Sequence, residues 1–403
     1  MEIYYLIIPI ICFCVIETIL MKIIFFVREK FQWLIISKDE KPDFNKEGLK
    51  KFFEHGYDSE LGWIRKPNTT HTEMGENGET FWTTNQKGAR TNPSFEGKKA
   101  KISCFGDSFT FCRQVNDDET WEYFLSSLTN SNIENFGVGN YGIDQAILRL
   151  KREFKKDETE NVILAVVPDT ISRIVSVWKH YYEYGNTFGF KPRFVLNNSN
   201  LKLIDNPIND ISKFEDYQKF LPFIRKYDFF YKNKFKREIL KFPFSISILK
   251  NIKRNFGIIY WILKLRKLIN IPKEISWKPM KIIMGINLKW RIKLYKDEKT
   301  VFLLEKIIEE YVNLSKRNNF NGYFVFLPQK DDILFIKKNF HFYEEFTNKI
   351  IKNYNLKVLD VTNELLKEDN LDELYSDNNE YGGHFSKKGN EKIAQILYKQ
   401  LMI

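Results

Sequence analysis

Three stretches of this chain bring together residue types suited to acyl-transfer chemistry. Gly106-Asp107-Ser108 closes the apolar run KISCFG, which reads as a short buried strand followed by a turn and helices. Ligands of open parallel sheets bind beyond the carboxyl ends of the strands, so a serine there can project its hydroxyl into the crevice. At a helix start its own amide lacks an intrahelical partner and can donate to an oxyanion. His384 stands in GGHFSKKGN, just before a C-terminal helical pattern. A serine nucleophile needs a base, and histidine is the usual one; Ser386 suits the N-cap of that C-terminal helix and would fix the backbone beside His384. The third stretch, NFGVGNYG from Asn135 to Gly142, holds three glycines. Their freedom lets a backbone N–H come close to a reacting carbonyl.

These stretches lie far apart in sequence, so only a fold can bring them together. From Lys101 the strand-like runs KISCFG, NIENFGVG and NVILAVV alternate with helical patterns such as DQAILRLKREFKK. NVILAVV is apolar on both faces, as a central parallel strand is. The rhythm returns after Thr300 with VFLLEKIIEEYVNLSKR, NGYFVFLP, FYEEFTNKIIKNY and LKVLDVTNELL. This alternation predicts an α/β fold whose parallel sheet is covered on both sides. The predicted organisation is a membrane anchor and juxtamembrane segment at 1–41, an irregular β-containing lead-in at 42–98, an α/β domain at 99–184 and 299–403, and a basic, aromatic-rich helical insertion at 185–298.

Composition bounds the rest. The 403 residues are 43% hydrophobic and 16% aromatic, enough for a sizeable core, which excludes global disorder. Of four cysteines, Cys12 and Cys14 sit in an apolar run and Cys104 and Cys112 flank one motif, so no disulfide framework is expected. The histidines are scattered and no Cys/His cluster has zinc spacing; neither metal nor cofactor is expected. Ile3 to Ile16 carries no charge, and apolar character continues to Val27 around Glu17 and Lys22, which approaches the length of a spanning helix. With Glu2 ahead of it and no small-residue cleavage site behind it, it reads as an uncleaved single-pass anchor. Arg28, Lys30, Lys38 and Lys41 after the run favour a cytoplasmic position for the bulk of the chain.

The net charge is +11, and residues 213–298 hold 22 Lys or Arg against seven Asp or Glu. Interleaved with aromatics, that charge suits an anionic membrane surface or a solvated helical cap. No nucleic-acid motif accompanies it, so no nucleic-acid partner is expected.

In order and spacing, CFGDSFTFCRQVNDDETW, NFGVGNYGIDQ and GGHFSKKGNEKIA resemble the SGNH (GDSL) hydrolase family, over about 101–175 and 300–401. Lys191–Phe194 and Asn206–Ile208 resemble segments of a bacterial, membrane-anchored branch met among surface-polysaccharide genes. The resemblance implies a flavodoxin-like three-layer α/β/α fold, Ser108 as nucleophile and His384 as base. It implies oxyanion donors at the amides of Ser108 and Asn140, or of Gly139 one register away. Where the family has an Asn after the third strand, this chain has Asp169, whose ionised carboxylate cannot donate; Thr170 offers a hydroxyl instead. Where the family has an Asp three residues before the histidine, this chain has Tyr381, leaving Asp377 and Glu380 as candidate carboxylates. The implied activity is that of an acyl esterase or O-acyltransferase on an acylated carbohydrate or lipid-linked ester. The two departures leave open a non-catalytic scaffold of a membrane polysaccharide assembly. Family chemistry on envelope polymers points to the outer side of the membrane, against the flanking lysines.

Overall fold

The computed structural model describes residues 2–31, 33–75, 77–156, 158–266, 278–377 and 383–401. Its strands are β1 (Tyr57–Asp58), β2 (Gly62–Trp63), β3 (Thr70–Gly75), β4 (Gly78–Thr83), β5 (Ala100–Gly106), β6 (Asn132–Gly137), β7 (Asn161–Val166), β8 (Arg193–Asn197), β9 (Asn200–Ile204), β10 (Asn321–Phe326) and β11 (Lys357–Leu359). Five of them form the central sheet in the order β11-β10-β7-β5-β6, with every pairing parallel. Numbered by first appearance within the sheet, this is 2-1-3-4-5, the flavodoxin-like order. The strand order reverses between β5 and β7, where ligands of such sheets bind. Ser108 follows β5 and Asp169 follows β7, so the sequence delivers both to that crevice.

The sheet is central because its strands are apolar on both faces. Along β7, Val162, Leu164 and Val166 join one core while Ile163 and Ala165 join the other. Helices α4 (Ile143–Glu153) and Glu298–Asn318 cover the first face through Ile147, Leu150, Leu304 and Ile308. Helices α3 (Trp121–Thr129) and Lys387–Leu401 cover the second through Trp121, Leu125, Ile393 and Leu397. Two close approaches demand glycine: a Cβ on Gly106 would collide with the Ala165 carbonyl oxygen, and one on Gly137 with the Phe111 amide.

The lead-in is built onto the domain. Arg90, buried, donates to Asp117 Oδ1 (2.8 Å) and to the carbonyls of Phe111 (2.6 Å), Val115 (2.7 Å) and Cys112. Hairpin β3–β4 reaches the same segment: Glu73 accepts from Arg113 Nε and from the Gln114 amide, both at 2.8 Å.

The insertion, expected to be helical, opens with the antiparallel hairpin β8–β9. Arg193 of β8 is held there by donating to the carbonyls of Val175 (2.9 Å) and Tyr227 (2.6 Å). Helices come next, and two of them, Phe244–Lys250 and Ile252–Arg266, pack on the N-terminal helix α1 (Glu2–Phe31). Within α1, Ile7–Glu29 has a mean hydropathy of 2.6 and is long and apolar enough to cross a membrane. Glu17, the acidic interruption, is buried: it accepts from the amide of Ser245 (2.9 Å) and from that of Phe244. Pro243, the residue before that helix, has no side-chain acceptor, so Glu17 supplies what a helix N-terminus needs. Lys22 is exposed.

Candidate active site

Ser108 lies directly beyond β5, 6% exposed. No helix starts at this serine. Residues 107–114 form consecutive turns, with Phe111 N donating to Asp107 O (2.9 Å) and Arg113 N to Ser108 O (3.3 Å). Cys112 and Gln114 adopt φ of 56° and 69°, and Arg90 and Glu73 occupy the polar groups that a helix would have paired. The Ser108 amide is therefore a turn amide. Asp107 anchors the turn from below: Oδ1 accepts from Phe109 N (2.9 Å), and Oδ2 accepts from Val167 N (2.8 Å) and Arg173 Nη1 (3.0 Å). One carboxylate thereby ties the ends of β5 and β7 together across the strand reversal.

His384 reaches the same turn. Its ring lies against Phe109, the residue after Ser108, with centroids 4.8 Å apart. Nδ1 sits 2.9 Å from Gln114 Oε1, which also accepts from the His384 amide (2.9 Å) and from Ser376 Oγ (3.0 Å). An amide N–H can only donate, so the Gln114 atom facing His384 is the oxygen. Nδ1 then carries the proton, and Nε2 keeps a free lone pair. Burial, then Arg113 and Arg173, push the His384 pKa well below its usual value, so the ring is neutral. Among the described residues no hydrogen bond joins Ser108 Oγ to the ring; such bonds are commonly longer before substrate binds.

Gln114 takes the place expected of a carboxylate. Asp377 lies close by, its Oδ2 3.1 Å from where a Cβ on Gly383 would stand, but it makes no hydrogen bond to His384 among the described residues. Glu380 and Tyr381 lie outside the described residues.

On the oxyanion side, Asn140 has φ of 68°, the left-handed conformation that Asn tolerates, and with Gly139 it borders an open cavity of about 360 Å³. Trp63 Nε1 donates to Gly139 O (2.9 Å) and Tyr141 OH to Trp63 O (2.5 Å), so the lead-in holds this loop in place. Thr170 is fully buried and accepts from Ile143 N (2.8 Å) at the start of α4, which makes it a support beneath the site. Asp169 has a different task from donation. Its Oδ1 accepts from Tyr182 OH (2.6 Å) and Arg291 Nε (3.2 Å), and Arg173 Nε stands 3.5 Å from Oδ2. Although burial opposes its charge, Arg291 and Arg173 bring its pKa below the ordinary carboxylate value. Arg291 also pairs with Asp332 and, at 3.7 Å, with Asp331. The chain Asp107–Arg173–Asp169–Arg291–Asp332 is a buried ionic floor under the crevice.

Neither a family model nor a curated protein matches this chain. Solved structures do align with it. A member of the lipolytic protein G-D-S-L family from Veillonella parvula is 12% identical, covering 75% of this chain and 98% of its own, with a TM-score of 0.33. The lipase/acylhydrolase from Enterococcus faecalis is 11% identical, covering 75% of this chain and 95% of its own, with a TM-score of 0.34. An acetyl xylan esterase is 11% identical, covering 74% and 98%, with a TM-score of 0.35. The aligned proteins carry G-D-S-L and esterase names.

Sequence reasoning missed Gln114, Arg173 and Arg291. Gln114 stands inside the stretch CFGDSFTFCRQV, six residues after the serine, yet no spacing marks a glutamine as a histidine partner. Arg173 had a weak signal, four residues after Asp169 and so in reach of it on a helical turn. Arg291 had none, because only the insertion's path brings it under β7. The cysteines are free, and among the described residues no group of His, Cys, Asp and Glu could hold a metal.

Proposed function

We propose that this protein is a membrane-anchored serine ester hydrolase of SGNH type, acting on an acylated carbohydrate or lipid-linked ester through an acyl-Ser108 intermediate. The observation that carries the reading is His384, whose ring lies against Phe109 in the turn that presents Ser108 and whose Nδ1 sits on Gln114. In the first half-reaction Ser108 Oγ attacks the ester carbonyl while its proton passes to Nε2. The tetrahedral oxyanion takes hydrogen bonds from the amides of Ser108 and Asn140. The carbon–alkoxide bond then breaks, and the alkoxide leaves with the proton held on Nε2. In the second half, water attacks the acyl carbonyl, gives its proton to Nε2, and the carboxylic acid departs as the proton returns to Ser108. A sugar hydroxyl in place of water makes the same steps an O-acyl transfer.

Helix α1 is the anchor in this reading, supported by the hydropathy of Ile7–Glu29 and by exposed apolar side chains beside it on the insertion, such as Phe242 and Leu249.

Turnover of p-nitrophenyl acetate by detergent-solubilised protein tests the proposal. Ser108→Ala and His384→Ala should each remove it. Turnover that persists unchanged in both variants would refute the assignment. A second, non-catalytic reading draws on Asp169, which stands where an oxyanion-hole Asn is expected; losing one such donor costs on the order of 10²–10³ in rate. It requires that the wild type fold normally and turn nothing over.

A further inference from the structure

The cavity beside Asn140 has a character that the catalytic reading does not use. Its described lining contains no Asp or Glu, but it contains the cations Arg65, Arg113 and Lys179 and the aromatics Phe52, Trp63 and Phe188. Arg113 is committed to Glu73, while Lys179 Nζ, 3.1 Å from Glu183 Oε2, makes no hydrogen bond and is left able to add to the anion's binding. Arg65 has no salt bridge among the described residues. Its buried Nε has no hydrogen-bond partner, and its guanidinium packs against two perpendicular rings, 4.4 Å from the centroid of Trp82 and 4.7 Å from that of Phe111. One Nη lies 3.6 Å from the position of a Cβ on Gly139, so this cation borders the loop that carries the candidate oxyanion donor. An arginine packed against rings, with no side-chain hydrogen bond among the described residues, is pre-organised to take a planar or tetrahedral oxyanion. Burial beside Arg113 moves its pKa down to about 10, so it is still charged at neutral pH and gains from a partner.

We infer that this cavity binds an anionic saccharide: a sugar ring on the wall formed by Phe52, Trp63 and Phe188, with its carboxylate or phosphate on Arg65. The volume of about 360 Å³ is at the small end of organic-ligand pockets and suits one ring with its substituents. The inference rests on the esterase reading and narrows its substrate to acylated acidic sugars. Aromatic faces cover the apolar side of a ring, and a guanidinium supplies the charge-assisted hydrogen bonds that distinguish an acidic sugar from a neutral one.

Ligand-observed NMR titration on the full-length protein in neutral detergent tests this, with glucuronic acid, glucose 1-phosphate, glucose and inorganic phosphate as probes. Using Ser108→Ala beside wild type separates binding from turnover, so failure of the catalytic reading leaves this result legible. Both acidic sugars should bind at least tenfold more tightly than glucose, and glucose 1-phosphate more tightly than phosphate. Arg65→Gln should abolish the preference and Arg65→Lys restore part of it, with thermal melts establishing that each variant folds. If Arg65→Gln does not fold, Lys179→Met should weaken both acidic sugars without affecting glucose. Equal binding of acidic and neutral sugars, phosphate binding as tightly as glucose 1-phosphate, or a preference that survives in folded Arg65→Gln or Lys179→Met would overturn the proposal.

Discussion

In the proposed mechanism a neutral amide holds His384 where a serine triad has a carboxylate, and the difference has consequences for pH. A carboxylate orients the ring and stabilises its charged form; Gln114 Oε1 orients it through a 2.9 Å contact without a full negative charge. Gln114→Leu should therefore lower kcat by about 10²–10⁴-fold, the range general-base catalysis spans, with little change in KM. Burial and two arginines already hold the His384 pKa well below its usual 6.5. The base must be neutral to work, so the acid limb of kcat/KM should fall well below pH 6.5. Gln114→Glu supplies the missing charge and favours the imidazolium, so it should move that limb upward. A wild-type limb at or above pH 6.5, or one that Gln114→Glu leaves in place, contradicts this assignment of roles.

At the scale of elements, the site stands on the insertion as much as on the sheet. Arg291 leaves helix Lys278–Tyr295 to meet Asp169, Asp331 and Asp332, joining the ends of β7 and β10 through one guanidinium. Removing one partner of a buried ion pair leaves uncompensated charge and costs about 3–5 kcal/mol. Arg291→Met should lower unfolding free energy by that order in a urea titration; a loss below about 1 kcal/mol would mean the floor is not held by charge. The parallel sheet was legible because each strand is a short apolar run between helical patterns, whereas its flavodoxin-like order came only with the family resemblance; Ser108 was placed by a strand end and His384 by the start of the last helix. What was illegible is long-range. The turns at 107–114 read as a helix start because Arg90 and Glu73, which displace the helix, come from the lead-in. Asp169 looked like a damaged donor because Arg291, which explains it, is 122 residues away.

For the whole molecule, the N-terminal helix and the insertion form one unit, locked by Glu17 on the Phe244 and Ser245 amides. Ile7–Glu29 is long and apolar enough to cross a membrane, and Phe242, Leu249 and Phe256 of the insertion are exposed; on the proposed anchoring the protein should stay in the membrane pellet after alkaline carbonate washing and leave it only with detergent, and release by carbonate alone would mean that α1 is no anchor. In the proposed mechanism Ser108 is a nucleophile activated by His384, and fluorophosphonate labelling of the detergent-solubilised protein reports that activation. The wild type should be labelled at Ser108, with loss of label in Ser108→Ala and loss or strong slowing in His384→Ala. A folded wild type that takes no label, or label that survives in Ser108→Ala, would contradict it.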